Sequence, residues 1–335
     1  MKHMELQTTK RMNLWKKILL GICSFLIFLV AAGVVYEAVS SYIGVKQSPP
    51  PGKLVNVGDF DLHIHKQGSG SPTIILETAS GSTANVWNDI PKELAKFTTV
   101  VTYDRGGYGW SEKATTERTG ENIVKELYTA LKKENIEGPY IVAGHSLGGM
   151  YTRLFAQTYS DEVEGIVLID ARHEDYSKET NPILLAAGFD PVLSGYPAKH
   201  ILTLLKQTGV IRLLNMGNPE MEESINIELR PKFFEAREAE LRDMAVTEDA
   251  IRNQSLGDIP LRILTHGQPE DLTLVGLTQE QSQIMEDVWQ QQQEQTLQIS
   301  SNSQLIVAKN SGHYIIHDEP QLVIDVIKDV VDQIK

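Results

Sequence analysis

The sequence predicts an α/β fold, a mostly parallel sheet with helices on both faces and an inserted helical cap, and three observations carry that prediction. Short β-branched stretches, apolar on both faces, recur along the chain as TTVVTYD, PYIVAGH, EGIVLID, LRILTH and QLIVAK, the pattern of parallel strands covered on both sides. Segments with helical periodicity separate them. The interval 172–258 then breaks the alternation, with charged helical stretches such as FFEAREAELRDM and no convincing strand. The 335 residues, 41% hydrophobic and 22% charged, suffice for one large core or two modest ones.

The N-terminal elements come first. Residues 1–17 form a basic terminus in which Lys2, Lys10, Arg11, Lys16 and Lys17 face only Glu5, a net of +4. Residues 18–35 are a run of 18 without a charge, close to the ~20 that a helix needs to cross hydrocarbon. The run exceeds the apolar part of a cleaved signal peptide and ends in Val34, Val35, Tyr36 and Glu37 instead of a small-x-small site. Residues 18–36 are therefore expected to remain as a single-pass transmembrane signal-anchor. A basic flank prefers the cytoplasmic side, which puts the rest of the chain outside the cytoplasm at the cell membrane. Cys23 is the only cysteine, so no intramolecular disulfide and no multi-cysteine metal site can form. With Ile22 before it and a short apolar stretch upstream, Cys23 suits an apolar filler better than a lipid attachment point. Residues 37–53 contain three consecutive prolines and Gly52 and are expected to form a semi-rigid linker to a body over 54–335.

In the body, the first strands, DLHIH and TIILE, are expected to pair as an edge hairpin. Residues 118–133 and 147–159 pattern as helices. Residues 320–334 repeat apolar side chains at 322, 323, 326, 327, 330, 331 and 334, an amphipathic helix with Pro320 in its first turn and Asp318 as N-cap. Another helix starts near Thr278, where Gln281 completes a capping box, and its glutamines 290–293 are assigned to the solvated face.

Chemistry enters after the strand at 140–143. There Gly144, His145, Ser146, Leu147, Gly148 and Gly149 lead straight into a helix, a Gly-x-Ser-x-Gly turn in its strand-turn-helix setting. The turn is so tight that the serine backbone is strained, and the glycines remove side chains that would collide with it. Ser146 is thereby presented at the carboxyl end of the sheet, with the Leu147 amide and the helix N-terminus placed to favour a developing oxyanion. A serine hydroxyl needs a base, and histidine is the side chain poised for that near neutral pH. Of the histidines, His313 lies in the loop after the last strand, on the elbow's side of a parallel sheet. His145 is the variable elbow residue and points away, His317 suits a structural place, and His63 and His65 alternate on an edge strand, which suits the surface.

Taken in order, TIILETASGS, TYDRGGYGWS, VAGHSLGGMYTRLFA, GIVLIDARHED and KNSGHYIIHDEP make residues 54–335 resemble the α/β-hydrolase superfamily. That resemblance implies Ser146 as nucleophile and His313 as general base. It leaves two places for the acid: Asp170, which ends VLID, or the loop after LRILTH, where Glu270 and Asp271 stand. Asp170 is favoured, because IDARHED resembles members that use this position and the later loop puts Glu where the usual motif has Asp. The second oxyanion donor should come from the loop after the strand Thr73–Glu77, with the Ala79 amide first and Ser80 next. DRGGYG matches a recurrent family turn with a structural role.

The function expected is a membrane-anchored serine hydrolase that cleaves a carboxylic ester or small amide through an acyl-enzyme. A peptidase or an acyltransferase would use the same triad, and a noncatalytic cell-surface binding module on the same fold is the alternative from another class. No cofactor or metal is expected: no ligand spacing clusters, and GHSLGG lacks the lysine of a phosphate-binding loop. The formal charge of −13 argues against nucleic acid as a partner.

Overall fold

A computed structural model describes residues 13–190 and 199–335. Of the basic terminus, Lys2, Lys10, Arg11 and Glu5 lie outside the described residues. The chain divides into two compact units, Met1–Ser48 with Ala198–Asn226, and Pro49–Pro197 with Ile227–Lys335.

The larger unit is built on one eight-stranded sheet: β1 (Lys53–Asn56), β2 (Asp61–Gln67), β3 (Thr73–Glu77), β4 (Thr99–Asp104), β5 (Tyr140–His145), β6 (Val163–Ile169), β7 (Leu261–His266) and β8 (Ser303–Ala308). Their spatial order is β1-β2-β4-β3-β5-β6-β7-β8. Pairing is antiparallel from β1 to β2 and from β2 to β4 and parallel everywhere else. An edge hairpin forms, but not between the strands expected: DLHIH, in β2, pairs with the preceding short KLVN segment, β1, which carries little apolar signal, while TIILE, β3, lies parallel between β4 and β5 inside the sheet. The helices Gly120–Lys133 and Leu147–Thr158 cover one face, and Ile90–Leu94 and Pro320–Ile334 cover the other. Alternation divides β3 between the two cores, with Ile75 on one side and Ile74 and Leu76 on the other. In the last helix Val323, Val326, Ile327, Val330 and Val331 are all buried, each stabilising the fold by roughly 1.5–3 kcal/mol.

Register aligns the carboxyl ends that matter. His145 of β5 sits beside Ile169 of β6, Ile169 is followed at once by Asp170, and His266 of β7 sits beside Ala308 of β8. The elbow, Asp170, His266 and the loop after β8 therefore share one edge of the sheet. Among the described residues of 172–258 there are helices and no strand.

Three local expectations are corrected. His63 is fully buried, its Nδ1 2.8 Å from Asp104 Oδ2, because β2 lies between β1 and β4 and is not an edge. Asp318 does not cap the last helix: Glu319 holds the N-cap position without a side-chain bond. The glutamines 290–293 are not a solvated stripe, since Gln292 and Gln293 are buried and Gln293 Nε2 donates to Ala171 O at 2.7 Å. The Gln293 amide satisfies a backbone carbonyl that an apolar side chain would leave unpaired. The capping box at Thr278 and Gln281 forms as the spacing predicts.

In the smaller unit the helix Leu14–Gln47 is long and apolar enough to cross a membrane. It continues past the apolar run, so that most of residues 37–53, expected as linker, is helical and only the segment from Ser48 to Gly52 separates it from β1. The unit also contains the helices Lys199–Gln207 and Val210–Leu214.

Candidate active site

The elbow is strained as its sequence requires. Ser146 sits at φ 55° and ψ −122° between β5 and the helix Leu147–Thr158, a conformation that costs a non-glycine residue of order 1–3 kcal/mol. Glycine is obligatory on either side. A Cβ on Gly144 would lie 2.3 Å from Thr152 Oγ1, and one on Gly148 would lie 2.5 Å from the Thr78 carbonyl. The Ser146 amide donates to Ile169 O, and its carbonyl accepts from Gly149 and Arg172 amides, each at 3.0 Å.

From that turn a chain of hydrogen bonds runs inward. Ser146 Oγ is 3.0 Å from His313 Nε2, and His313 Nδ1 is 2.6 Å from Asp170 Oδ2. Asp170, itself at φ 43° and fully buried, donates its amide to Leu264 O at 2.7 Å. The His313 loop is braced by Asp318, whose Oδ2 accepts from Ser311 Oγ at 3.0 Å and from the Gly312 amide at 3.3 Å. His145 points away from Ser146 and holds the His313 carbonyl at 2.8 Å through Nε2. Burial, with the nearby His313 charge, pushes the His145 pKa down to about 3, which keeps it a neutral donor.

Asp170 serves a second histidine. His266 Nδ1 lies 2.7 Å from the same Oδ2, and Asp170 Oδ1 accepts from the His266 amide at 3.1 Å and from Trp289 Nε1 at 3.0 Å. His266 Nε2 reaches both Glu286 oxygens, at 3.0 and 3.1 Å. Burial alone would raise the Asp170 carboxyl, but the bonds and charges of His266 and His313 outweigh it and hold the group well below its ordinary range. Burial likewise works against charging His266, yet Asp170 and Glu286 on its two nitrogens raise its pKa to about 10. At neutral pH His266 is thus an imidazolium between two carboxylates. Asp170, His266 and His313 lie within metal-ligating distance of one another, but both Nδ1 atoms already point at one carboxylate oxygen at hydrogen-bond length, which is how a proton-bridged cluster is built.

The loop after β3 lies against the elbow, as the close approach of Gly148 to Thr78 O records. Buried Arg105 fixes it: Nη1 donates to Thr78 O at 2.8 Å and Nη2 to Ala79 O at 2.9 Å. The N–H of a trans peptide points opposite to its carbonyl, so the Ala79 and Ser80 amides are turned away from Arg105. Arg105 is itself paired with Glu77 at 2.6 Å and Glu240 at 2.8 Å. Ser80 Oγ accepts from Arg237 at 3.4 Å, and Leu147 is buried at the start of the elbow helix.

A cavity of about 230 Å³ opens on Ser146 and His313, lined also by Arg172, Tyr176, Glu270 and Trp289. Glu270 thus borders the cavity, while Asp271 is occupied in its own loop, accepting from the Thr273 amide at 3.0 Å and hydroxyl at 2.6 Å. The structure brings Ser146, His313 and Asp170 together and does not link Glu270 or Asp271 to His313. Sequence reasoning missed His266, Glu286 and Trp289, while Arg105 stands in the DRGGYG turn expected to be structural. Of the three, only His266 left a trace, as the last residue of a strand that ends at the same sheet edge as Ser146.

Comparison with known proteins identifies the fold family. The model of the alpha/beta hydrolase fold family matches residues 72–320. An uncharacterized protein of Bacillus subtilis (strain 168), YqjL, is 28% identical over 266 residues, covering 79% of this chain and 86% of its own. Among solved structures, a thermophilic esterase from Thermogutta terrifontis aligns with a TM-score of 0.58 at 18% identity, over 84% of this chain and 98% of its own. The epoxide hydrolase CorEH also aligns with a TM-score of 0.58, at 19% identity, over 84% of this chain and 99% of its own. At these identities the solved structures share the fold.

Proposed function

The chain belongs to the α/β hydrolase fold family, and on that premise we propose that it is a serine hydrolase cleaving a carboxylic ester or small amide, held at a membrane by its N-terminal helix. The observation that carries the reading is the unbroken line from Ser146 Oγ through His313 to Asp170 at 3.0 and 2.6 Å. Ser146 Oγ attacks the substrate carbonyl while His313 Nε2 takes its proton, and the Nδ1–H stays on Asp170, which stabilises the imidazolium. The oxyanion is met by the Leu147 amide and by Ala79 or Ser80, whose peptides Arg105 holds. His313 returns the proton to the leaving group, and water, activated by the same nitrogen, clears the acyl-enzyme.

Acyl chemistry suits this nucleophile better than epoxide opening. A serine oxygen attacking an epoxide carbon would leave a stable ether on the enzyme, whereas an acyl ester returns to free serine on hydrolysis. The cavity of about 230 Å³ favours a short acyl or alkyl group, being smaller than the ~300–1,000 Å³ of drug-sized sites. A peptidase or acyltransferase would run through the same acyl-enzyme and differ in the group that accepts it.

Membrane attachment is supported by the length and apolar surface of the helix Leu14–Gln47, and the basic flank before it favours a body outside the cytoplasm. Protease shaving of intact cells tests the orientation: a protected body refutes it. For the chemistry, the full chain is assayed on a chain-length series of p-nitrophenyl esters beside Ser146→Ala, with fluorophosphonate labelling of both. Turnover and labelling in the wild type alone are expected. Unlabelled and inactive wild-type protein refutes the serine mechanism and favours a binding module.

A further inference from the structure

Within the smaller unit a charged cluster is buried while several large apolar side chains are exposed. Glu37 is buried two residues past the apolar run, and Arg212 holds both its oxygens at 2.9 and 3.0 Å while Lys206 also pairs with it. Ser41 donates to Glu37 at 2.6 Å, and Arg212 also donates to Asn226 Oδ1 at 2.7 Å. Small residues set the approach on either side of this cluster. A Cβ on Gly33 would lie 2.2 Å from Thr208 O, one on Gly209 would lie 3.1 Å from Gly33 O, and one on Gly44 would strike the Asn226 side chain. The helices Lys199–Gln207 and Val210–Leu214 are thus fastened to the N-terminal helix between positions 33 and 44. Gly33 is two residues from the end of the apolar run at Val35, about 3 Å along a helix axis.

The outer surface of the same two helices is apolar. Ile201 and Leu204 are each 59% exposed, Leu213 52%, Leu214 80% and, just beyond, Met216 75%. Val34, Val35 and Val39 of the long helix, within the stretch to which the two helices are fastened, are exposed as well. In water such an inverted arrangement exposes leucines and buries an ion-paired glutamate. At the boundary between headgroups and acyl chains, apolar side chains that face lipid and charges that pair inward are both favoured.

We propose that helices Lys199–Gln207 and Val210–Leu214 lie in the interfacial layer of the bilayer that the N-terminal helix crosses, with Ile201, Leu204, Leu213, Leu214 and Met216 dipping into its acyl boundary. The proposal rests on the membrane-spanning role given to that helix above. It makes the anchor a span with an interfacial foot, clamped by Glu37 so that the two helices cannot lift off singly. The occupant of the apolar face is lipid, because the two helices are fastened to the span at Gly33 and Glu37, on either side of the end of its apolar run, the depth where the span leaves hydrocarbon.

The test uses the full chain in a Cys23→Ala background carrying one of Leu26→Cys, Leu204→Cys or Leu214→Cys, each labelled with an environment-sensitive fluorophore. The protein is reconstituted in phosphatidylcholine vesicles with or without lipids bearing a nitroxide quencher, placed either shallow or deep. All three positions are exposed, so the substitutions leave the packing alone, and two positions on two helices guard against an accident at either. Labels at 204 and 214 are expected to lose at least half their emission to the shallow quencher, and the label at 26 to the deep one. Quenching at 26 with none at 204 and 214 overturns the interfacial foot while the span stands, and dry but unquenched labels there assign the face to protein instead. No quenching at 26 overturns the span, and the foot with it.

Discussion

Replacing Asp170 by Asn removes one charge and almost no volume, and the structure dictates how the site must fail. Asp170 Oδ2 takes Nδ1 of His313 at 2.6 Å and of His266 at 2.7 Å, while Oδ1 takes the His266 amide at 3.1 Å and Trp289 Nε1 at 3.0 Å. An asparagine has one oxygen for these two sets. If its oxygen keeps the backbone amide and the indole, its NH2 faces the two imidazoles, and His313 can accept there only by carrying its own proton on Nε2. That tautomer donates to Ser146 and cannot take the proton. If the oxygen turns the other way, the NH2 confronts two fixed N–H donors and the loop must open. The same replacement in a serine protease triad lowers kcat about 10⁴-fold, or about 5.4 kcal/mol in barrier, and a loss of that order is expected for kcat/KM on the p-nitrophenyl ester series. Glu270→Gln, at the competing position, is expected to stay within a fewfold of wild type. Asp170→Asn within tenfold of wild type, or Glu270→Gln as damaged as it, would refute the assignment of the acid.

Two further outcomes follow from buried charge. Arg105→Leu leaves Glu77 and Glu240 buried without their cation and frees the Thr78 and Ala79 carbonyls, so urea unfolding should record a loss of about 3–5 kcal/mol, with kcat falling more than KM changes. For His266 the folded pKa is raised to about 10, so its stabilising share is complete below its unfolded value near 6.5 and is lost as pH climbs towards 10. The urea midpoint should therefore fall between pH 7 and 10 in the wild type and fall less in His266→Gln; equal slopes would dismiss the imidazolium.

Legibility in the sequence followed the range of the forces involved. The strands, the elbow and His313 announce themselves because periodicity and turn chemistry are local, and β5 could be placed from YIVAGH and the glycines after it. Asp170 could not be separated from Glu270 by topology, since β6 and β7 end at the same edge; Trp289 and His266 converging on Asp170 distinguish them, and both arrive from elsewhere in the chain. The helix Gln279–Thr296 hid its part because glutamine-rich sequence resembles a solvated face, although Gln293 spans to Ala171 O and Gln290 to the His266 carbonyl at 3.2 Å. His63 was hidden for the opposite reason: an alternating strand looks like an edge until KLVN pairs beside it. The clamp on Glu37 depends on Lys206 and Arg212, far along the chain, and no pattern around Glu37 foretells it.

The two strained residues of the site share one means of support. Ser146 and Asp170 each stand one residue beyond the end of a central strand at positive φ, and each donates its amide to the neighbouring strand, Ser146 to Ile169 O and Asp170 to Leu264 O. The ladder thus runs one residue past β5 and β6, and the cost of two unfavourable backbones is carried by the most buried part of the sheet. Anything that shifts β6 against its covering helix should then disturb the site before it unfolds the protein. Gly165 offers the perturbation, because a Cβ there would lie 2.4 Å from Val330 Cγ1 of the helix Pro320–Ile334. Overpacking of that kind costs about 1–3 kcal/mol, within the margin of a stable domain. Gly165→Ala is expected to fold, to show a lowered urea midpoint, and to react with a fluorophosphonate at least tenfold more slowly than wild type. Labelling at the wild-type rate in a protein destabilised by that amount would mean that the strain at Ser146 and Asp170 is held by the loops alone.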